Sequence, residues 1–360
     1  MWMLRISLPG QNSHGAIHQI REEANFGSKE WRMKTPELVA SSWPHIHSGN
    51  SVQNMMLTLI IALLPAVVAA FLVFGLDTLK VVIIAMASAI FWDAVLQKLF
   101  KKSLTVYDLS AAAYGLVFAM LLPVTIPWWI IVLGTLVMML LGKHVYGGLG
   151  CNPFNGVLIA YVALLLSYPG HMGNWPMPTS DMMMTQYPPL VELKENGPFL
   201  LEDAFPVKDL FLGTNLITGS IGEISKLALL LGGLFLIVRK KISWIIPASF
   251  LFGLTGFATI FWLIDPNTYA SPIFHLLAGG SLLAAFFLAT DWPTSPVTKY
   301  GMVFFGLMCG VMTMVIRSWS QWAEGAYFAV FIVSMITPYF DKIRPKVFGA
   351  RFTSKRPVRL

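Results

Sequence analysis

At 360 residues, 56% hydrophobic and 12% charged, the chain has about half the charge density of a soluble domain. Its mean hydropathy is +0.67, which excludes an ordinary soluble enzyme. The formal net charge of +7 does not point to nucleic acid either, because Lys and Arg sit between apolar runs and at the two ends, where a membrane partner explains them.

Residues 1–50 are polar and contain no signal peptide, since no cleavage site follows an apolar core. They are expected to form a cytoplasmic tail. Ten apolar segments follow, at about 54–75, 78–97, 108–122, 127–142, 153–168, 223–238, 242–263, 272–290, 301–317 and 324–340. Their length scale is that of a bilayer core, which needs ~20 helical residues. The shorter ones, and those interrupted by Gly or Pro, predict broken or re-entrant helices covered by protein.

The charges between segments set an orientation. With the N-terminus inside, only Lys80, Lys194, Lys208, Lys226 and Arg317 of the 25 Lys and Arg fall outside. This is the asymmetry expected of a cytoplasmic face. The expected fold is therefore all-α and integral to the membrane, with ten transmembrane helices and both termini cytoplasmic. Residues 51–168 form one five-helix unit and residues 223–340 a second. Residues 169–222 form an extracytoplasmic loop, and the basic residues 341–360 a cytoplasmic tail. An odd number of spans per unit makes the two repeats inverted. Phe118, Thr125 and Pro127 recur as Phe287, Thr294 and Pro296 at a constant offset, a faint echo of duplication.

Ionisable residues in or beside spans are the first functional candidates in a membrane protein. Here they are Asp93, Asp108, Lys143, His144, Glu223, His275, Asp291 and Glu324. The competing reading is that they cap or anchor helix ends, and it applies least to Asp93 and His275, which lie well inside apolar runs. Two cysteines, Cys151 and Cys309, cannot alone ligate an iron–sulfur cluster, and no metal-ligand spacing appears, so no metal site is expected. Met182, Met183 and Met184 lack His or Cys neighbours and make a poor copper site.

Three irregular stretches remain. Tyr146 to Gly156 combines glycines at 147, 148 and 150 with Asn152, Phe154 and Asn155. It could cradle a planar polar ligand on amides beside an aromatic ring, or be a tight turn with an Asn cap; Pro153 is expected in the first turn of the next helix. Leu212 to Glu223 leads into the sixth span, with Thr218 or Ser220 as the expected N-cap and an electropositive helix start behind it. Thr290 to Thr298 reads as a proline-bearing turn.

These motifs in order carry a resemblance. Ser42-Trp43-Pro44-His45-Ile46-His47-Ser48-Gly49, Gly147 to Asn155, Gly219 to Ser225 with Leu227 to Gly233, Ala289-Thr290-Asp291 with Ser295 to Thr298, and Glu324-Gly325 together resemble the D-type membrane component (RnfD) of the Rnf-type ion-translocating electron-transport complex. That component is a relative of the B-type component (NqrB) of the sodium-pumping NADH:quinone reductase. The resemblance covers roughly residues 42–345. It implies a membrane protein that works with the other components of the complex. Such a protein carries electrons through flavin between ferredoxin and NAD and couples this to Na⁺ or H⁺ movement. The resemblance also implies FMN attached through its phosphate to a threonine of the outer loop, and a non-covalent flavin such as riboflavin in the membrane, with Gly150, Asn152, Phe154 and Asn155 as a pocket wall. The attachment pattern, an Asp followed by [ST]-G-A-T-P, falls on Asp181 to Pro188. There Tyr187 stands where the family has its modified threonine, and Thr185 is the nearest aliphatic hydroxyl. A channel or solute transporter of inverted-repeat fold, or a scaffold that has lost its flavin, are the competing functional classes.

Overall fold

The computed structural model describes residues 51–175, 187–198, 205–213 and 218–342. Among them every regular element is helical. The expected tails at 1–50 and 343–360 and the motif at Ser42 to Gly49 lie outside the described residues.

The first described helix is α1 (Val52–Phe74), capped by the Ser51 hydroxyl, which accepts from the Asn54 amide at 3.1 Å. Gly75, at φ +65°, turns the chain directly into α2 (Leu76–Leu99), and Thr78 Oγ1 donates back to the Ala70 carbonyl across the hairpin. α3 (Ser110–Leu121) is short because Pro123 follows. α4 (Trp128–Met139) continues into a π-helical turn at Leu140–His144. α5 (Gly156–Ser167) starts only after Pro153, capped by Asn155, whose Oδ1 accepts from the amides of Val157 and Leu158. Pro153 is thus outside the helix whose first turn it was expected to occupy. Asn155 competes successfully for that start because its side chain satisfies two amides that otherwise have no partner. α4 and α5 cross closely: a Cβ at Gly142 would lie 2.4 Å from the Gly156 Cα.

Further along the chain, α6 (Lys226–Val238) is capped by Ser225, which accepts from the Ala228 amide. Ser220 precedes a separate 3₁₀ turn at Ile221–Glu223 and makes no cap bond. The expected cap at Thr218 or Ser220 is therefore corrected to Ser225, because this extra turn delays the helix. α7 (Ile245–Ile264) leads to α8 (Pro272–Leu277), which breaks at Ala278, Gly279 and Gly280 and resumes as Ser281–Leu283 and a π-helical stretch at Ala284–Leu288. Gly279 sits at φ +64°, a conformation that other residues rarely adopt. α9 (Lys299–Trp319) and α10 (Ala326–Ser334) complete the set.

Four of these helices, α1, α2, α7 and α9, are long and apolar enough to cross a membrane. The remaining apolar segments give shorter or broken helices, as their Gly and Pro content predicted. The chain is therefore a multi-pass, all-α membrane protein. α7 lies along α9, α1 along α6, and α10 against α5. The segments Ser110–Leu122 and Ala278–Asp291 are buried almost throughout and form the centre. Large apolar side chains such as Leu72, Phe252 and Leu263 point outward around the periphery, which suits a hydrocarbon solvent and no aqueous one.

Candidate functional site

Two charged clusters lie at opposite ends of the bundle, each assembled from residues far apart in the chain. At the end bearing the α2–α3 connection, Asp93 is completely buried between two basic residues. Lys143 Nζ lies 2.9 Å from its Oδ1, and His144 Nε2 lies 2.7 Å from the same oxygen. Gln97 Nε2 donates to Oδ2 at 3.1 Å. Lys143 also donates to Ser110 Oγ at 2.9 Å and lies 3.9 Å from Asp108. The π-helical turn at Leu140–His144 is what directs two consecutive basic residues, Lys143 and His144, toward one carboxylate. Charges this deep persist because they are paired and hydrogen-bonded.

The second cluster forms at the break after α8. A broken helix frees carbonyls that hydrocarbon cannot satisfy, and here two cations take them. Arg317, in the last turn of α9, donates to the carbonyls of His275 (2.6 Å) and Ala278 (3.1 Å) and to Ser281 Oγ (2.8 Å). Lys226, placed at the first position of α6 by the Ser225 cap, donates to the carbonyls of Gly279 (2.7 Å) and Glu223. Two carboxylates complete the group. Glu324 accepts from the Gly280 amide and lies 3.4 Å from Arg317. Glu223 accepts from the Tyr327 hydroxyl at 2.8 Å, and Tyr327 packs edge-on against Tyr161 with ring centroids 5.1 Å apart.

Beside this second cluster opens a cavity of about 350 Å³, within the ~300–1,000 Å³ usual for cofactor sites. Tyr161, Trp175 and Trp322 give it aromatic walls, and Glu223, Lys226 and Glu324 line it as well. Its remaining side is the loop helix Pro189–Asn196. Donors, acceptors and flat apolar rings together suit a planar heteroaromatic molecule.

The residues expected from the sequence are distributed differently. Asp93, Asp108, Lys143 and His144 come together, as do Glu223, His275 and Glu324, but Asp93 and His275 belong to different clusters. Asn152 Nδ2 donates to the Phe154 carbonyl, and Asn155, besides capping α5, donates to the Leu288 carbonyl. Gly147, Gly148 and Gly150 all have positive φ, so this stretch is a tight turn, with Phe154 half-buried against Tyr146 and Phe331. The spaces beside Asn155 and Asn152 are about 20 and 10 Å³, room for roughly one water each. Thr185, with Asp181 to Gln186, lies outside the described residues. Asp291 meets Tyr114 at 3.5 Å and Thr294 at 3.1 Å.

Sequence reasoning missed Tyr161, Tyr327, Lys226 and Arg317. One signal was available: Lys226 and Arg317 are among the five basic residues that violate the charge asymmetry, and a cation on the disfavoured side needs a local reason.

Comparison with known proteins agrees with this architecture. The NQR2, RnfD, RnfE family matches residues 39–349. The D-type component of the Na⁺-translocating ferredoxin:NAD⁺ oxidoreductase complex of Acetobacterium woodii is 40% identical over 321 residues, covering 88% of this chain and 97% of that protein. The D-type component of the ion-translocating oxidoreductase complex of Salmonella arizonae is 36% identical over 351 residues, covering 87% of this chain and 98% of the relative. Its counterpart of the same name in Escherichia coli is 34% identical over the same length, again covering 87% of this chain and 98% of the relative.

Proposed function

The chain belongs to the NQR2, RnfD, RnfE family, and from that premise we propose that it is the D-type membrane component of an ion-translocating electron-transport complex. The observation that carries this is the end-to-end match to D-type proteins, which this chain covers over 97% and 98% of their own lengths. Its partners are the other components of that complex, and its environment is membrane lipid.

The finer architecture is ten spans in two inverted five-helix repeats in the inner membrane, with cytoplasmic termini and domain limits at 51–168 and 223–340. Two parallel arrangements support it. Lys143, at the end of the fourth helix of the first unit, donates to Ser110 at the start of the third. Arg317, at the end of the fourth helix of the second unit, donates to Ser281 within the third. A basic residue seating the buried third helix in each unit, at opposite ends of the bundle, is the relation that inversion demands.

The redox group of this reading is a flavin, FMN; what supports it is the 350 Å³ cavity, which sets aromatic walls beside donors and acceptors. Tyr161, Trp175 and Trp322 would stack on or flank the ring, while Lys226 and Glu223, the latter held by the Tyr327 hydroxyl, would hold protons and charge at its edge. When bound, the flavin supplies one-electron chemistry between ferredoxin and NAD that these side chains cannot perform, and ion movement, of Na⁺ or H⁺, is coupled to it. Riboflavin is a second, non-covalent candidate. The test is the flavin content of the complex purified from its native membrane, with in-gel fluorescence of the denatured chain in the wild type and in Thr185→Ala. Flavin at about one equivalent in this chain is the expected result. A flavin-free chain that takes up a small solute in proteoliposomes would replace the proposal with a transporter.

A further inference from the structure

Of the five basic residues on the side that the charge asymmetry disfavours, Lys194, Lys226 and Arg317 are bound to backbone carbonyls. Lys80 is not. It lies in α2 about one turn in from Gly75, where the chain reverses, and its side chain is 69% exposed. Helical side chains lean toward the helix N-terminus, so the Lys80 stem runs back along α2 and its ammonium meets Asp77 Oδ1 at 2.7 Å. The pair edges a groove of about 410 Å³ between α2 and α4, whose walls include Val81, Ile84, Ile131 and Trp128. α2 is long and apolar enough to cross a membrane, and Ile83 and Phe91 are exposed further along it, so this flank of the bundle faces hydrocarbon. Trp128, the first residue of α4, is itself exposed, as suits a tryptophan at headgroup level.

The ion pair has valences to spare. An ammonium carries three N–H donors and a carboxylate two oxygens, and among the described residues Lys80 and Asp77 make side-chain hydrogen bonds only to each other. Thr125, also in the groove, is engaged with the Asn174 carbonyl. The groove therefore presents one cationic and one anionic site side by side, with no net charge, at the rim of an apolar trough. We propose that it binds a phospholipid whose headgroup carries one phosphate and one primary ammonium, an ethanolamine phospholipid. The phosphate lies on Lys80, the ammonium on Asp77, and an acyl chain runs along Val81, Ile84 and Ile131. A headgroup with a phosphate and no ammonium would set its charge beside the Asp77 carboxylate without compensation, and a quaternary ammonium has no N–H to donate. This inference is independent of the flavin reading.

The experiment reconstitutes the intact purified complex with a phosphatidylethanolamine that carries a diazirine in one acyl chain, or with the phosphatidylglycerol analogue, and maps the photolabelled peptides of this chain by mass spectrometry. Labelling of the peptides holding Ile84 and Ile131 is read as a ratio to that around Phe252 and Leu263, which are exposed on α7 and report general lipid contact. With the ethanolamine probe the ratio is expected to fall about fivefold in Lys80→Gln and in Asp77→Asn, as the loss of one partly screened ion pair implies. Lys80→Arg is expected to stay near wild type, and unchanged α7 labelling in every variant reports that the bundle is intact. A ratio unchanged in both Lys80→Gln and Asp77→Asn would overturn the site. Equal enrichment by the glycerol probe would overturn the pairing of an ammonium with Asp77. A groove unlabelled in the wild type, with Lys80 chemically cross-linked to another component of the complex, would assign it to a protein and overturn the lipid.

Discussion

Replacing Asp93 by Asn isolates the energetics of the buried cluster. The Asp93 carboxylate is fully buried and has Lys143 at 2.9 Å and His144 at 2.7 Å. The substitution keeps the shape and leaves the Lys143 ammonium with Ser110 at 2.9 Å and Asp108 at 3.9 Å. Breaking a buried ion pair by removing one partner costs ~3–5 kcal/mol. Asp108 still offers a more distant counter-charge, so the lower limit, about 3 kcal/mol, is expected. For domains of 150–250 residues each kcal/mol moves the melting midpoint by ~2–4 °C, which makes the shift here about 6 °C or somewhat more. The measurement is the fraction of a fluorescently tagged chain surviving heating in the solubilised complex, read by size-exclusion chromatography. The double variant Asp93→Asn, Lys143→Met removes both charges and is expected to recover at least half of the loss. A shift below ~2 °C, or a double variant less stable than the single one, would refute the idea that an unpaired ammonium is the source of the cost.

Two further outcomes follow from the same geometry. Arg317→Lys keeps the charge but cannot reach the carbonyls of His275 and Ala278 together with Ser281. It is expected to cost ~1–3 kcal/mol in the same heating assay, and a midpoint equal to wild type would show that charge alone matters there. Gly142→Ala is expected to lower the yield of folded protein strongly, since its Cβ would lie 2.4 Å from the Gly156 Cα, whereas Gly256→Ala has nothing within 4 Å and should be neutral or gain up to ~1 kcal/mol from helix propensity. Equal yields for the two would contradict the close α4–α5 crossing.

The composition and the spacing of apolar runs determined that this is a multi-pass helical membrane protein, because a bilayer imposes a length and polarity on each crossing that a sequence cannot disguise. The ordered short motifs determined the family, and comparison with known proteins bears that out. Caps were legible in part. Asn155 is a cap, as its residue type allowed, but Ser225 replaced Ser220 because a 3₁₀ turn at Ile221–Glu223 intervenes, and propensity does not foresee one extra turn. What only the tertiary structure decided is which charges meet. Asp93 and Lys143 are fifty residues apart in the chain, Lys226 and Gly279 are similarly distant, and the contacts depend on a π-helical turn and on freed carbonyls. Hydrophobic periodicity records which face of a helix is buried and carries no record of the neighbour buried against it. The clusters and the cavity beneath the loop helix therefore emerge from packing, while the membrane and the family were readable from the residues alone.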